Sequence, residues 1–257
     1  MNVLNRAYGQ PLVIEEHSSL LLAGGINSQG YQCGMIWGSA LAAGAHAHQL
    51  YGSGVRAEVA AIVASQKIIE SFRARHHGKI DCFDISKLNM KSGIDNKQIV
   101  KFFLKGGPIV CFRMAARYAP VAYDSIEAGL AEPELEGVSL PVSCASIVAR
   151  KLGATEQQVV MAAGLAGGIG LCGGGCGALG AAVWIKGMAG LSEKVTPDYK
   201  DPKVSEFIHR FLKQTDYKFE CSEIVGRKFA SIQDHSDYLH SDGCAGLIEL
   251  LASEGAR

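Results

Sequence analysis

The sequence predicts an all-α protein built from two tandem helical-bundle modules. Apolar residues recur mainly at helical spacing, and the alternation of period two that marks β-strands is rare. Segments rich in Ala and Gly predict helices whose backbones approach one another closely. A cysteine-bearing glycine stretch also occurs twice. A chain of 257 residues is long enough for two domains, and we place the modules at residues 1–134 and 135–257.

The repeated stretch is the strongest internal signal. Residues 166–187 read AGGIGLCGGGCGALGAAVWIKG, and residues 23–44 read AGGINSQGYQCGMIWGSALAAG. Each begins with AGGI, reaches a Cys-Gly pair at Cys176 or Cys33, and continues into small-residue helix sequence with a tryptophan. These similarities predict a duplicated cysteine-bearing module.

In the first module, residues 1–22 predict two short helices separated by Gly9. Helices are then predicted from Gly34 to His48, directly after Cys33, and over residues 54–75, where apolar residues form a stripe. Cys82 follows in DCFDI, then a polar segment at residues 89–97, and Cys111 is predicted to open an apolar helix.

The second module repeats this order after a seam at residues 131–141, which contains two prolines and three acidic residues. Cys144 opens a predicted helix, and the glycine stretch leads to Cys176. Residues 204–212 match the end of the 54–75 helix when Cys221, in ECSEI, is aligned with Cys82. The tract 233–242, QDHSDYLHSD, predicts a polar loop ahead of a helix opened by Cys244.

The composition excludes several classes of function. Lys+Arg and Asp+Glu balance at 25 each, so the chain lacks the basic excess of nucleic-acid-binding proteins. Charged residues are only 19%, which predicts that interfaces cover part of the surface, and we expect a homodimer. Residues 159–185 carry no charge but contain nine glycines, so we expect no membrane span. No secretory signal is visible, so a cytoplasmic location is expected.

The eight cysteines suggest ligands or redox thiols. Four of them fall at predicted helix starts in the second module, where free N–H groups are expected to lower a thiol pKa. Four converging thiolates bind an iron–sulfur cluster or Zn²⁺. The predicted metal ligands are Cys144, Cys176, Cys221 and Cys244, with Cys172, Cys33, Cys82 and Cys111 as weaker candidates.

Other groups near these cysteines are predicted to assist. The glycine turn is expected to approach a bound cofactor through Gly173, Gly174, Gly175 and Gly177, whose backbone N–H groups would tune its potential. His46 and His48 are candidate donors near Cys33, and the histidines of tract 233–242 are candidates to influence the cluster from beyond its ligands. The sequence contains no CxxCH haem motif, P-loop or CxxCxxC ferredoxin run.

The pattern of a cysteine, then GCGALG, then two single cysteines resembles the C_GCAxxG_C_C family. The resemblance covers Cys144 to about Leu251, with Gly177 where the family name has alanine. The first module is more distant: it has no counterpart of Cys144, and Trp37 stands where the second has Gly180. The resemblance implies an all-helical module with a redox role. A related module occurs in the split-Soret cytochrome with an iron–sulfur centre, which makes [2Fe–2S] the implied cofactor.

Three functions are therefore compared. The first is an iron–sulfur protein for electron transfer or redox sensing, working with a redox partner protein. The second is a metal-free thiol–disulfide protein, in which Cys172–Cys176 or Cys221–Cys244 cycles. The third is a partner-binding module, held by zinc or free of metal. No substrate or turnover reaction is predicted.

Overall fold

The protein is all-α, as predicted. The computed structural model describes residues 1–87, 107–131, 138–191 and 201–253. The helices of the first half are α1 (Asn2–Ala7), α2 (Val13–Ser18), a 3₁₀ turn (Ser19–Leu22), α3 (Gly34–Tyr51), α4 (Val55–Arg75), α5 (Cys82–Ser86) and α6 (Gly107–Leu130). Those of the second half are α7 (Cys144–Lys151), α8 (Glu156–Ala163), α9 (Gly177–Leu191), α10 (Pro202–Gln214), α11 (Cys221–Val225), α12 (Ile232–His240) and α13 (Ala245–Ser253).

Local sequence explains where several helices begin. Ser143 caps α7 by accepting a hydrogen bond from the Ser146 N–H. Thr155 and Gln158 form a reciprocal capping box at the start of α8. At α10, the Asp201 carboxylate accepts from the backbone at the first turn, which begins with a proline. These caps fix the helix starts independently of tertiary packing.

Two predicted elements differ from the structure. The tract predicted as a polar loop contains helix α12, because Ser231 caps it and because His235, Ser236 and Leu239 form a buried face. Cys111 does not open a helix, since it lies inside α6, which begins at Gly107. The polar segment 89–97 and most of the seam 131–141 lie outside the described residues, so the division at 134/135 stays a prediction.

The two glycine turns, residues 23–33 and 166–176, have matching backbones. Both contain a run of positive φ angles, which in the first turn includes Gly24, Gly25 and Ile26 and in the second Gly167, Gly168 and Ile169. Glycine populates this left-handed region without steric cost, which explains the AGG sequence. Each turn ends in one isolated antiparallel bridge, Gln32 with Asp81 and Gly175 with Glu220.

The two halves share one continuous hydrophobic core, in which Trp37 and Trp184 are fully buried. Helix α3 packs against α8, and α9 packs against α2. Within these contacts the Gly44 backbone approaches Met161 while Gly187 approaches Ser18. Gly187 follows Gly44, and Met161 follows Ser18, by the same number of residues that separates Ala166 from Ala23. Equivalent positions therefore make both contacts, and the packing between the halves is reciprocal.

No helix among the described residues combines the length and the apolar character that crossing a bilayer demands. The uncharged segment 159–185 is split into α8 and α9 by the second glycine turn.

Candidate functional site

The four cysteines predicted as ligands in the second half line one cavity. Its volume is about 20 Å³, which is room for about one water molecule. We call them the C-terminal cysteine set: Cys144, Cys176, Cys221 and Cys244. The rest of the lining is mainly apolar and aromatic, and comprises Gly177, Ala178, Ile224, Val225, Phe229, His235, Tyr238 and Leu247.

Backbone hydrogen bonds hold two of these cysteines side by side. The Cys176 N–H donates to the Phe219 carbonyl at 3.0 Å, and the Cys221 N–H donates to the Gly174 carbonyl at 2.6 Å. These bonds flank the Gly175–Glu220 bridge and join the second glycine turn to the start of α11. The order of residues around the two cysteines therefore positions both side chains at one point.

Helix ends bring the other two cysteines to the same cavity. Cys144 is the first residue of α7, and Cys244 lies directly before α13. Cys244 has a φ of 60°, which is uncommon for a residue other than glycine. Its sulfur lies 3.9 Å from the Tyr238 hydroxyl, and its side chain is half-buried, whereas the other three are buried. Cys244 therefore forms the outer edge of the site.

The start of α9 supplies N–H donors to the sulfurs. Burial raises the pKa of the Cys144 thiol, and the backbone N–H groups of Gly167 and Ala178 act in the opposite direction by favouring the thiolate. The N–H groups of Leu179 and Ala178 have the same effect on the Cys176 thiol. These α9 groups belong to the first turn of a helix, where N–H groups lack a partner within the helix.

Burial outweighs these donors in the free thiols. The pKa of Cys144 is raised by burial, against the effect of its N–H partners. Burial and neighbouring cysteines raise the pKa of Cys176 and Cys221, and burial raises the pKa of Cys244 to about 11. The expectation that helix starts lower these pKa values is therefore wrong for the free protein, because the cavity excludes water.

The predicted glycines position the cysteines. Gly173 has a φ of 76°, and its carbonyl accepts from the Ser222 N–H. A Cβ on Gly175 would collide with Gln32 and Phe219, and one on Gly177 would collide with the Leu165 carbonyl. Of the four predicted glycines, Gly173, Gly174, Gly175 and Gly177, only the last lines the cavity.

The aromatic residues of α12 and the segment before it were not predicted as part of the site. His235 is buried, its Nδ1 lies 2.9 Å from the Val142 carbonyl, and its ring packs edge-on against Phe229. Burial lowers the pKa of His235, which favours the neutral ring. The histidines of this tract were predicted to influence the cluster from beyond its ligands, and His235 lines the cavity.

Cys172 lies outside the cavity lining. Its side chain is half-buried, and its sulfur donates to the Gly170 carbonyl at 3.5 Å. This contact directs the Cys172 sulfur to the backbone of its own turn. A role for Cys172 as a fifth ligand stays a prediction.

The cysteines of the first half also lie near one another. We call Cys33, Cys82 and Cys111 the N-terminal cysteine set. Burial raises the pKa of Cys33 to about 12, and the nearby Cys82 and Cys111 thiols contribute to this rise. The Cys33 N–H donates to Ile80 at 2.8 Å, and the Cys82 N–H donates to Tyr31 at 2.7 Å, as at Cys176 and Cys221.

The two candidate histidine donors of the first half lie on α3. His46 stacks on Tyr8 with ring centroids 3.8 Å apart and forms an ion pair of 3.2 Å with Glu127. Because these contacts engage the His46 ring, they disfavour a role for His46 as a metal ligand. His48 is half-buried near the end of the same helix.

The spacing of the cysteines distinguishes kinds of metal site. A single Zn²⁺ ion with Zn–S bonds of about 2.3 Å requires sulfurs about 3.8 Å apart. Within the described ranges, no group of three or more Cys, His, Asp or Glu side chains is arranged to hold a metal ion. Among the described residues, the C-terminal cysteine set therefore shares a cavity without forming a preformed metal site.

Comparison with known proteins bears on the second half. A family model described as "Putative redox-active protein (C_GCAxxG_C_C)" matches residues 142–254. Searches of curated proteins and of solved structures each gave no match. Residues 142–254, which contain the whole C-terminal cysteine set, therefore match the C_GCAxxG_C_C family model.

Proposed function

We propose that the C-terminal cysteine set binds an iron–sulfur cluster, [2Fe–2S], and that the protein transfers electrons or senses redox state through it. The observation that carries this proposal is the convergence of four cysteines from separate chain segments on one buried cavity. Four thiolates are the usual ligand set of such clusters. The family's association with redox activity supports the same conclusion.

The donor chemistry fits a cluster. The described lining offers sulfur atoms and no carboxylate, and the nearby N–H groups of α9, which favour thiolate, are of the kind that stabilises cluster sulfurs. The cavity must widen to admit iron, because about 20 Å³ is the space of one water molecule. Cys244, which is half-buried at the outer edge, is the cysteine with most room to turn outward.

The bound cluster would supply one-electron transfer. The protein's own part is to exclude water through Phe229 and Leu247 and to direct the first-turn N–H groups of α9 towards sulfur. Both features affect a cluster's reduction potential. The half-buried edge at Cys244 is where we expect the redox partner protein to approach.

The alternatives are weaker on physical grounds. Thiol–disulfide exchange needs a free thiolate, which burial disfavours in this set, whereas bound iron would offset that penalty because a metal deprotonates the thiols that coordinate it. A zinc ion would use the same four sulfurs, but zinc does not change oxidation state, so the family's association with redox activity favours iron. Both remain defined outcomes of the experiment below.

We further propose that the chain arose by duplication, with the first half keeping three of the cysteines. The matching positive-φ runs, bridges and cysteine N–H bonds in the two glycine turns support this. The helix that corresponds to α7 is α1, which carries no cysteine.

Metal analysis of the full chain purified without oxygen tests the proposed function. We expect about two irons and two inorganic sulfides per chain, with visible absorbance and an electron paramagnetic resonance signal after reduction. C176S and C221S should lose the iron, whereas C172S should keep it. Stoichiometric zinc, or a metal-free protein that gains one disulfide on oxidation and fails reconstitution, would contradict the proposal.

A further inference from the structure

A second cavity lies in the first half, and its lining shares no residue with the C-terminal cysteine set. Its volume is about 440 Å³, within the usual range for small-molecule pockets. It is formed between the end of α4 and the first half of α6. Its lining consists of Arg75, His76, Val110, Arg113, Met114, Arg117 and Tyr118.

Helical spacing explains the wall contributed by α6. Four lining residues follow the helical repeat: Arg113 and Met114 come three and four residues after Val110, and Arg117 comes one turn later. Their side chains therefore share one face of the helix. The opposite wall contains Arg75, the last residue of α4, and His76. The end of α4 and one face of α6 therefore direct three arginines towards a common space.

The pocket is strongly cationic. Among the described residues, its lining contains three arginines and no acidic residue. In the part of the chain that the structure describes, Arg75, Arg113 and Arg117 form no ion pair. A set of arginines without carboxylate partners attracts anions, and the planar guanidinium group matches the oxygens of phosphate and carboxylate.

The remaining lining residues suggest how a ligand would be held. Met114 and Val110 provide apolar surface. The His76 Nε2 atom is buried and has no hydrogen-bond partner among the described residues. A buried nitrogen without a partner is costly unless a ligand or water satisfies it. A ligand with an anionic end and a less polar body would complement all of these groups.

We propose that this pocket binds a small anion with two or more negatively charged oxygens, a phosphate or a carboxylate, through Arg75, Arg113 and Arg117. The site is separate from the proposed cluster, and no iron is needed for binding. Tyr118 is shared with the region of the N-terminal cysteine set, since it lines the pocket and its pKa responds to Cys33.

Isothermal titration calorimetry of the full chain at low ionic strength tests this proposal, with inorganic pyrophosphate and citrate as separate probes. We expect at least one probe to bind at one site per chain, more weakly as salt is added. R113Q/R117Q should weaken binding by about tenfold or more, because each charge-assisted hydrogen bond is worth about 1.5 kcal/mol or more.

Matched variants make the result decisive. K203Q/K213Q removes two positive charges from α10 and should change affinity by less than about twofold. R113K/R117K keeps the charge and should give intermediate affinity, because lysine lacks the planar fork. Arg113 and Arg117 are exposed, so the variants should fold. Binding by neither probe, or binding that R113Q/R117Q leaves unchanged, would overturn the proposal; a difference between probes identifies phosphate or carboxylate as the preferred group.

Discussion

The ring of Trp37 packs directly on the backbone of Gly180. These residues hold equivalent places in the two repeated stretches, on α3 and α9, and a Cβ on Gly180 would lie closer than 3.0 Å to the ring. Trp37 is fully buried. The last glycine of the GCGALG motif is thus required by packing against the first half, and lies outside the cavity lining.

Gly180→Ala is expected to destabilise the protein by about 1–3 kcal/mol, because an added methyl group overpacks this contact. W37L should also destabilise, by removing buried aromatic surface. In the double variant, the smaller leucine leaves room for the methyl group, so the two losses should be less than additive. Urea denaturation of the four proteins measures the coupling; strict additivity would show that the ring does not limit this position.

Arg150→Met is expected to cost about 2–3 kcal/mol at pH 7. Its guanidinium group pairs with Glu58, whose side chain is 0% exposed, while that of Arg150 is 34% exposed. Burial raises the pKa of Glu58, against the effect of Arg150. The stability from this carboxyl is therefore present below about pH 4.5 and lost as the pH rises through its folded-state pKa. In a variant without Arg150, the stability lost with rising pH becomes larger, because the buried Glu58 carboxylate has no positive partner.

The R150M protein should accordingly recover part of its lost stability on acidification from pH 7 towards pH 5. E58Q/R150M supplies the control, since it has no buried carboxylate and should show a smaller dependence on pH. Chemical denaturation at several pH values checks both. A stability difference between wild type and R150M that is constant with pH would contradict this account.

The helical fold was predictable because its signals are local. Apolar spacing predicts α4, and the helix stop at Gly9 is confirmed by the short helices on either side of it. These helix signals depend on residues close together in sequence. The cavity shared by four distant cysteines was instead indicated by their repeated order along the chain.

Features that depend on burial were not predictable. Helix α12 was predicted as a loop because its sequence is mostly polar. That sequence does not indicate that two of its polar residues, His235 and Ser236, face the interior. The thiol pKa values were predicted in the wrong direction, because the number of apolar residues around each sulfur is set by tertiary packing. The pocket at Arg75 likewise requires α4 and α6 to be placed side by side.

Gln32→Met is expected to leave stability unchanged or raise it by about 1 kcal/mol. Both polar atoms of the Gln32 amide are buried without a hydrogen-bond partner among the described residues, and such groups carry a desolvation cost. Methionine has a similar shape and no polar atom. N27L is the contrasting control, because the Asn27 amide bonds to Asp201 and Ser205. Thermal melting should rank Q32M at or above wild type and N27L below it.

Cys244→Gly is expected to separate stability from cluster binding. Cys244 has a φ of 60°, and replacing a left-handed residue by glycine relieves about 1 kcal/mol of backbone strain. The metal-free variant should therefore be at least as stable as wild type, while it loses the bound iron. The control is D242G, at an exposed residue that also has a φ of 60°, which should gain similar stability and keep its iron. Iron retention by C244G would remove Cys244 from the ligand set, and a large loss of stability without metal would show that its side chain is needed for packing.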